Sequence, residues 1–256
     1  MTDGLAESTS GARADGTSDA PAIACSDLSK RYGDESVLES VSFEVPDGEF
    51  VALIGRSGSG KSTLLDVISG IEQPDDGRVT FPAADGDATV GHVFQDPRLL
   101  PWETCLQNVE YVHGDDPDYD DDVGRRYLDL VGLGDQYDQY PTQLSGGQRQ
   151  RVGLARALSV DPDVLLMDEP FSNVDEITAD ELREDLLDLW RDFEPTVVFV
   201  THDVTEAVRM ADRILMLGDG DLFGDVDVPL DRPRSIDSVE FVRFREQVRE
   251  QFREQG

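Results

Sequence analysis

From residue 22 onward, short apolar runs alternate with mixed segments of helical character along this chain. Val41-Ser42-Phe43-Glu44-Val45 alternates apolar and polar positions and closes on Pro46-Asp47-Gly48, which predicts a half-buried strand and a turn. Phe50-Val51-Ala52-Leu53-Ile54 is apolar throughout and runs into a glycine-rich loop, the pattern of a strand buried on both faces. Residues 61–69 follow as a predicted helix, stopped by Gly70. Further helices are predicted around 123–131 and 146–158, and two more buried strands over 164–167 and 196–200. Helix, apolar strand, helix, apolar strand is the rhythm of an α/β domain with a mostly parallel sheet. No repeat with a period of 20–50 residues is present.

Residues 1–20 carry a single leucine among Ser, Gly, Ala, Thr and Asp, and so predict an acidic tail that buries nothing. It has neither a basic start nor an apolar run, so it does not read as a secretory signal. The segments 85–87 and 114–122 read as surface loops, and the six aspartates of the second lack the glycine and terminal glutamate of a calcium-binding loop. Near the C-terminus, 240–254 predicts one charged amphipathic helix with Phe241, Phe244, Val248 and Phe252 on its apolar face.

Composition narrows the class. With 256 residues and 38% apolar content the chain can bury a sizeable core, and it has no run as long as the ~18–20 apolar residues of a membrane span. Cys25 and Cys105 are too few for a disulfide or zinc framework and are expected to be inert buried thiols in a soluble intracellular protein. There are 37 Asp and 18 Glu against 20 Arg and two Lys, a net charge of −33. That field repels phosphate backbones, so no nucleic-acid partner is expected. So many carboxylates with so little lysine predict adaptation to high salt, where a screening length of about 3 Å at 1 M removes most of their repulsion.

The chemistry concentrates at four places. Gly55-Arg56-Ser57-Gly58-Ser59-Gly60-Lys61-Ser62 fills the pattern G-x-x-x-x-G-K-[ST], between a predicted strand and a predicted helix. Its amides and the helix N-terminus suit a phosphate chain, Lys61 would reach the β- and γ-phosphates, and the Ser62 hydroxyl would ligate Mg²⁺. Asp168-Glu169 ends the apolar strand 164–167, which places one acid near the metal and Glu169 as general base for the attacking water. Leu144-Ser145-Gly146-Gly147-Gln148 opens the helix 146–158 as a second anion-binding helix end. Of the three histidines, only His202 follows a buried strand at the sheet edge where ligands gather, and it is assigned to the γ-phosphate; His92 and His113 read as structural.

The pentapeptide Leu-Ser-Gly-Gly-Gln, placed after the phosphate loop and before the strand ending in Asp168-Glu169, resembles the signature motif of the ABC ATPases. The resemblance covers about 22–220, with a helical subdomain about 96–155 and a C-terminal extension 221–256. It implies a P-loop core with an N-terminal antiparallel β subdomain and a small helical subdomain. By the same resemblance Gln95 matches the Q-loop glutamine and a ligand of Mg²⁺, Thr63 joins the phosphate site, and Tyr32 stacks on adenine. Ser172-Asn173-Val174-Asp175 occupies the D-loop, departing from the commoner Ala-Leu at its middle, and Asp175 is assigned to nucleotide binding. ATP and Mg²⁺ are the implied ligands, sandwiched between two copies so that Ser145, Gly146, Gly147 and Gln148 of one face the phosphate loop of the other.

The same resemblance implies a peripheral subunit on the cytoplasmic face of the membrane, docked on a separate permease and served by a solute-binding protein. Leu144 follows Lys61 by only 83 positions, which leaves no room for the long coiled coil of DNA-repair relatives, and the chain carries one such domain where translation relatives carry two. Asp96-Pro97-Arg98-Leu99-Leu100-Pro101-Trp102 is expected as the permease contact, unless its leucines fold back on the helical subdomain. Arg-Leu-Leu-Pro-Trp, with Pro229-Leu230-Asp231-Arg232-Pro233-Arg234, is similar to nitrate, sulfonate and taurine importer ATPases. Importers of a pyrimidine or another small organic solute are the alternative.

Overall fold

A computed structural model describes residues 20–84, 88–114, 120, 122–172 and 174–255. The expected tail therefore lies outside the described residues apart from Ala20, as do the loop 85–87 and most of the aspartate-rich loop.

Two sheets organise the chain. The smaller is antiparallel and joins β1 (Ile23–Tyr32) to β2 (Glu35–Val45) on one side and β4 (Asp76–Thr80) on the other. The larger has six strands, in the order β5 (Val90–Val93), β6 (Val164–Asp168), β7 (Thr196–Thr201), β3 (Phe50–Gly55), β8 (Arg213–Gly218) and β9 (Asp221–Asp227). All its pairings are parallel except that of β8 with β9. The α/β architecture with a separate antiparallel sheet is thus the one the sequence led us to expect.

The apolar strands are buried on both faces because they divide their side chains between two cores. Phe50, Ala52, Ile54, Leu165, Met167, Val197 and Phe199 face one core, shared with the helices α4 (Gly146–Leu158), α5 (Glu176–Phe193) and α6 (Val204–Met210). Val51, Leu53, Val164, Leu166, Val198 and Val200 face the other, shared with α1 (Lys61–Ile68) and the small sheet. Truncating a fully buried ring such as Phe199 to alanine removes about 3–5 kcal/mol. Burial also pushes the Cys25 thiol up to about 12 and the Cys105 thiol up to about 11, in keeping with inert cysteines.

The helical subdomain holds α2 (Cys105–Glu110), α3 (Asp122–Leu130) and α4. Helix α4 starts where expected because Ser145 and Gln148 cap it reciprocally: Ser145 Oγ accepts from the Gln148 amide at 3.2 Å, and Gln148 Oε1 accepts from the Ser145 amide at 2.9 Å. Helix α3 lies one residue earlier than expected; Val131 leaves it for the core and Gly132 turns the chain at φ 72°.

The leucines before Trp102 divide. Leu99 packs against the core and Leu100 is half-buried, its amide held by Asn108 Oδ1 at 2.7 Å, whereas Trp102 is 68% exposed. Leu99 therefore folds back, and of the apolar side chains in this segment Trp102 with Pro101 is the part that faces outward. The position 220/221 falls in the β8–β9 turn, and α7 (Val239–Gln255) buries Phe241 and Val248 in the same core as the large sheet.

Candidate functional site: a phosphate cleft at the strand ends

The order β6-β7-β3 brings three strand ends together: the loop after β3, Asp168-Glu169 at the end of β6 and His202 after β7. Between them lies a cleft of about 570 Å³. Its lining includes Ser57, Gly58, Gly60, Lys61, Ser62 and Thr63 from the loop and α1. Gln95, Glu169 and His202 close it from the far side, with Val37 of β2 at its rim.

The loop needs its glycines for steric reasons. Gly60 has φ 98°, and a side chain there would meet the Val37 carbonyl oxygen at 2.7 Å. A side chain on Gly55 would meet the Leu217 carbonyl oxygen at 2.5 Å, so the loop packs directly on β8. Lys61 is buried and donates to the carbonyls of Gly55 at 3.0 Å and Arg56 at 2.8 Å, spanning its own loop. Burial holds its ammonium below the usual lysine range, opposed by the charges of Glu169 and Asp168. Ser59 is buried beneath the loop rather than in the cleft.

Glu169 is the hub of the opposite wall. It sits at φ 42°, a conformation a non-glycine residue rarely holds without cause, and its amide donates to the Val200 carbonyl at 3.1 Å. Its Oε2 lies 3.3 Å from His202 Nδ1 and accepts from Gln95 Nε2 at 3.3 Å. Ser172 closes the turn: its hydroxyl donates to the Glu169 carbonyl at 3.0 Å and stands 3.4 Å from Gln95 Nε2. Asp168 is pushed above the usual carboxylate range by burial, while a hydrogen bond from the Ser62 hydroxyl works against that. Ser62 and Asp168 thus offer hard oxygen donors on one side of the loop, a donor set that suits Mg²⁺ and not a softer metal.

Several expected site residues stand elsewhere. Tyr32 is 48% exposed outside the cleft lining, with Lys30 Nζ 5.5 Å from its ring centre. Ser145, Gly146, Gly147 and Gln148 form the start of α4, away from the cleft of their own chain. Asp175 caps α5 by accepting from the Thr178 amide at 3.1 Å and its hydroxyl at 2.8 Å, which holds its carboxyl below the usual range. The middle of the D-loop, at 173, lies outside the described residues. Conversely, Val37 reaches the site with no local pattern to announce it, and Ser172, read in the sequence only as the start of the D-loop, bonds to the Glu169 carbonyl beside Gln95. His92 stacks on Phe94 at 4.1 Å between ring centres, and His113 Nε2 meets Ser159 Oγ at 3.1 Å, so both have structural settings.

Comparison with known proteins places this geometry. The ABC transporter family model matches residues 38–172. The chain is 45% identical over 237 residues to the aliphatic sulfonates import ATP-binding protein SsuB 1 of Burkholderia cenocepacia, covering 92% of this chain and 73% of that protein. It is 41% identical over 233 residues to the aliphatic sulfonates import ATP-binding protein SsuB of Escherichia coli, covering 90% of each. Among solved structures, the ATP-binding cassette MJ0796, a dimer in a post-hydrolysis state bound to ADP and Pi, superposes with a TM-score of 0.73 at 31% identity, over 82% of this chain and 100% of that one. The phosphate cleft and these relatives together make this chain a member of the ABC transporter family, one of its ATP-binding subunits.

Proposed function

We propose that this chain hydrolyses ATP at the cleft between Lys61 and Glu169 to drive import of a small sulfonate-like solute through a separate permease. The observation that carries the reading is the convergence of His202 and Gln95 on one carboxylate oxygen of Glu169, across the cleft from the phosphate loop. Lys61, Thr63 and the loop amides from Gly55 to Ser62, that of Ser59 among them, hold the phosphate chain, with Tyr32 against the base. Glu169 takes a proton from the attacking water, and the water oxygen bonds to the γ-phosphorus as the bond to the β–γ bridging oxygen breaks, giving ADP and phosphate. His202 donates to the γ-phosphate oxygens on which charge gathers. Ser62, Asp168 and Gln95 would hold Mg²⁺, which would supply neutralising charge for the phosphates.

Two copies complete each site. Ser145, Gly146, Gly147, Gln148 and Asp175 of one copy close over the phosphates bound to the other, so opening and closing of the dimer follows the nucleotide. The dimeric state of the MJ0796 cassette supports this arrangement. Trp102, exposed at the tip of its loop, contacts a permease at the cytoplasmic face of the membrane. Among the described residues no helix is long and apolar enough to cross a membrane. We read 22–220 as the ATPase domain and 221–256 as an extension fastened to its core.

The cargo reading rests on the sulfonate importers among the relatives and on Arg98-Leu99-Leu100-Pro101-Trp102. Calorimetric titration of the solute-binding protein encoded beside this chain tests it. Binding of taurine or an alkanesulfonate supports the reading; binding of a pyrimidine, sugar or peptide in their place contradicts it and leaves the ATPase standing.

A further inference from the structure

We propose that Arg183 is a positioning residue for hydrolysis: its guanidinium braces the turn that carries His202, through Glu206, and the loop that carries Glu169, through Phe171. The inference rests on the ATPase reading above and adds a residue to it.

Arg183 lies on α5 and is only 6% exposed. Its Nη2 donates to Glu206 Oε1 at 2.6 Å, and its Nη1 donates to Asp180 Oδ1 at 2.8 Å. The second oxygen of Glu206 is committed elsewhere: it accepts from the hydroxyl of the buried Thr201 at 2.5 Å. The Thr201 hydroxyl oxygen in turn accepts from the Asp203 amide at 3.0 Å. His202 sits between these two residues with its own side chain 67% exposed, so its place is set by the turn and not by packing around the ring. On its other side the guanidinium carbon stands 5.2 Å from the ring centre of Phe171, itself buried two residues after Glu169. One buried cation therefore touches the supports of both partners in the 3.3 Å contact between His202 and Glu169.

A merely structural role, holding α5 against α6, is already filled. Arg209 of α6 bonds to Asp180 and lies 3.6 Å from Glu184, both on α5, without involving Glu206. The line from Arg183 through Glu206 to Thr201 leads to the cleft instead. It is also shielded, so the salt that screens exposed carboxylates leaves it largely intact. Lysine cannot replace it fully, because a single ammonium does not present the planar fork that reaches Glu206 and Asp180 together.

The test is steady-state and single-turnover ATPase kinetics of the full chain carrying Arg183→Lys or Thr201→Val, each also placed in a His202→Ala background. We expect kcat to fall about 10-fold or more in each single variant while KM for ATP stays within about 2-fold, because the phosphate loop is untouched. In the His202→Ala background Thr201→Val should cost nothing further, since the group it positions is gone, while Arg183→Lys should keep only the smaller part of its loss that runs through Phe171 to the Glu169 loop. Thr201→Val keeps the shape of the side chain and carries the test if Arg183→Lys does not fold. Single variants with the parent kcat, a rise in KM in place of a fall in kcat, or an undiminished loss in the His202→Ala background would each overturn the proposal. No hydrolysis by the parent chain would overturn the reading of the site itself, and this inference with it.

Discussion

Lys61 holds its own phosphate loop, with Nζ donating to the Gly55 carbonyl at 3.0 Å. The cation that is to meet the phosphates therefore has its protein partners in place, and burial already strains its charge. Bound phosphate supplies the negative charge that burial denies it. Replacing Lys61 with alanine should weaken ATP binding about 10- to 100-fold, the worth of one or two charge-assisted hydrogen bonds. Calorimetric titration of ATP into parent and variant measures it, and equal affinities would contradict the assignment of the loop.

His92 carries a pH prediction. Its imidazole stacks on Phe94, neither ring nitrogen has a hydrogen-bond partner among the described residues, and burial holds it at about 4, helped by the charge of Arg98. The folded state thus prefers the neutral ring while the unfolded chain titrates near its ordinary 6.5. Stability from this residue is complete above that value and is lost as pH falls to about 4. Relative to His92→Phe, the parent should lose up to about 3 kcal/mol across this window. Denaturant unfolding of both proteins at several pH values reads the difference, and parallel curves would refute it.

The charge of −33 predicts that folding needs salt. Fifty-five carboxylates face 22 basic side chains, and their repulsion reaches further as salt is removed. We expect the melting temperature to climb between about 0.1 M and about 3 M KCl, as screening shortens from about 10 Å toward its molar value. A flat profile would remove the reading of the surface as adapted to brine.

What could be read from the sequence was local. The loop from Gly55 to Ser62, the strand ending in Asp168-Glu169 and the capped start of α4 are each contiguous, so spacing alone places them. Leu99 and Trp102 look alike in a sequence yet part company in the fold, because only packing against the helical subdomain decides which is covered. Asp175 resembles a nucleotide ligand, and in its own chain it is a helix cap. Val37 and Arg183 lie on elements far apart in sequence from the groups they serve, and no periodicity links them; Ser172 and Glu206 are near neighbours of Glu169 and His202, but only the folded turns bring their side chains onto those groups. The left-handed backbone of Glu169 was equally hidden, since nothing in a carboxylate's neighbours predicts φ 42°.

Steady-state ATP hydrolysis by Glu169→Gln bears most directly on the central claim, that this carboxylate serves as the base in a site made with Lys61, Gln95 and His202. Glutamine keeps the shape of the side chain but cannot take the proton from water. With Mg²⁺ and saturating ATP, we predict a fall of about 10²–10⁴-fold in kcat, with ATP still bound and the dimer held closed. Hydrolysis at the parent rate in a folded Glu169→Gln protein would contradict the account.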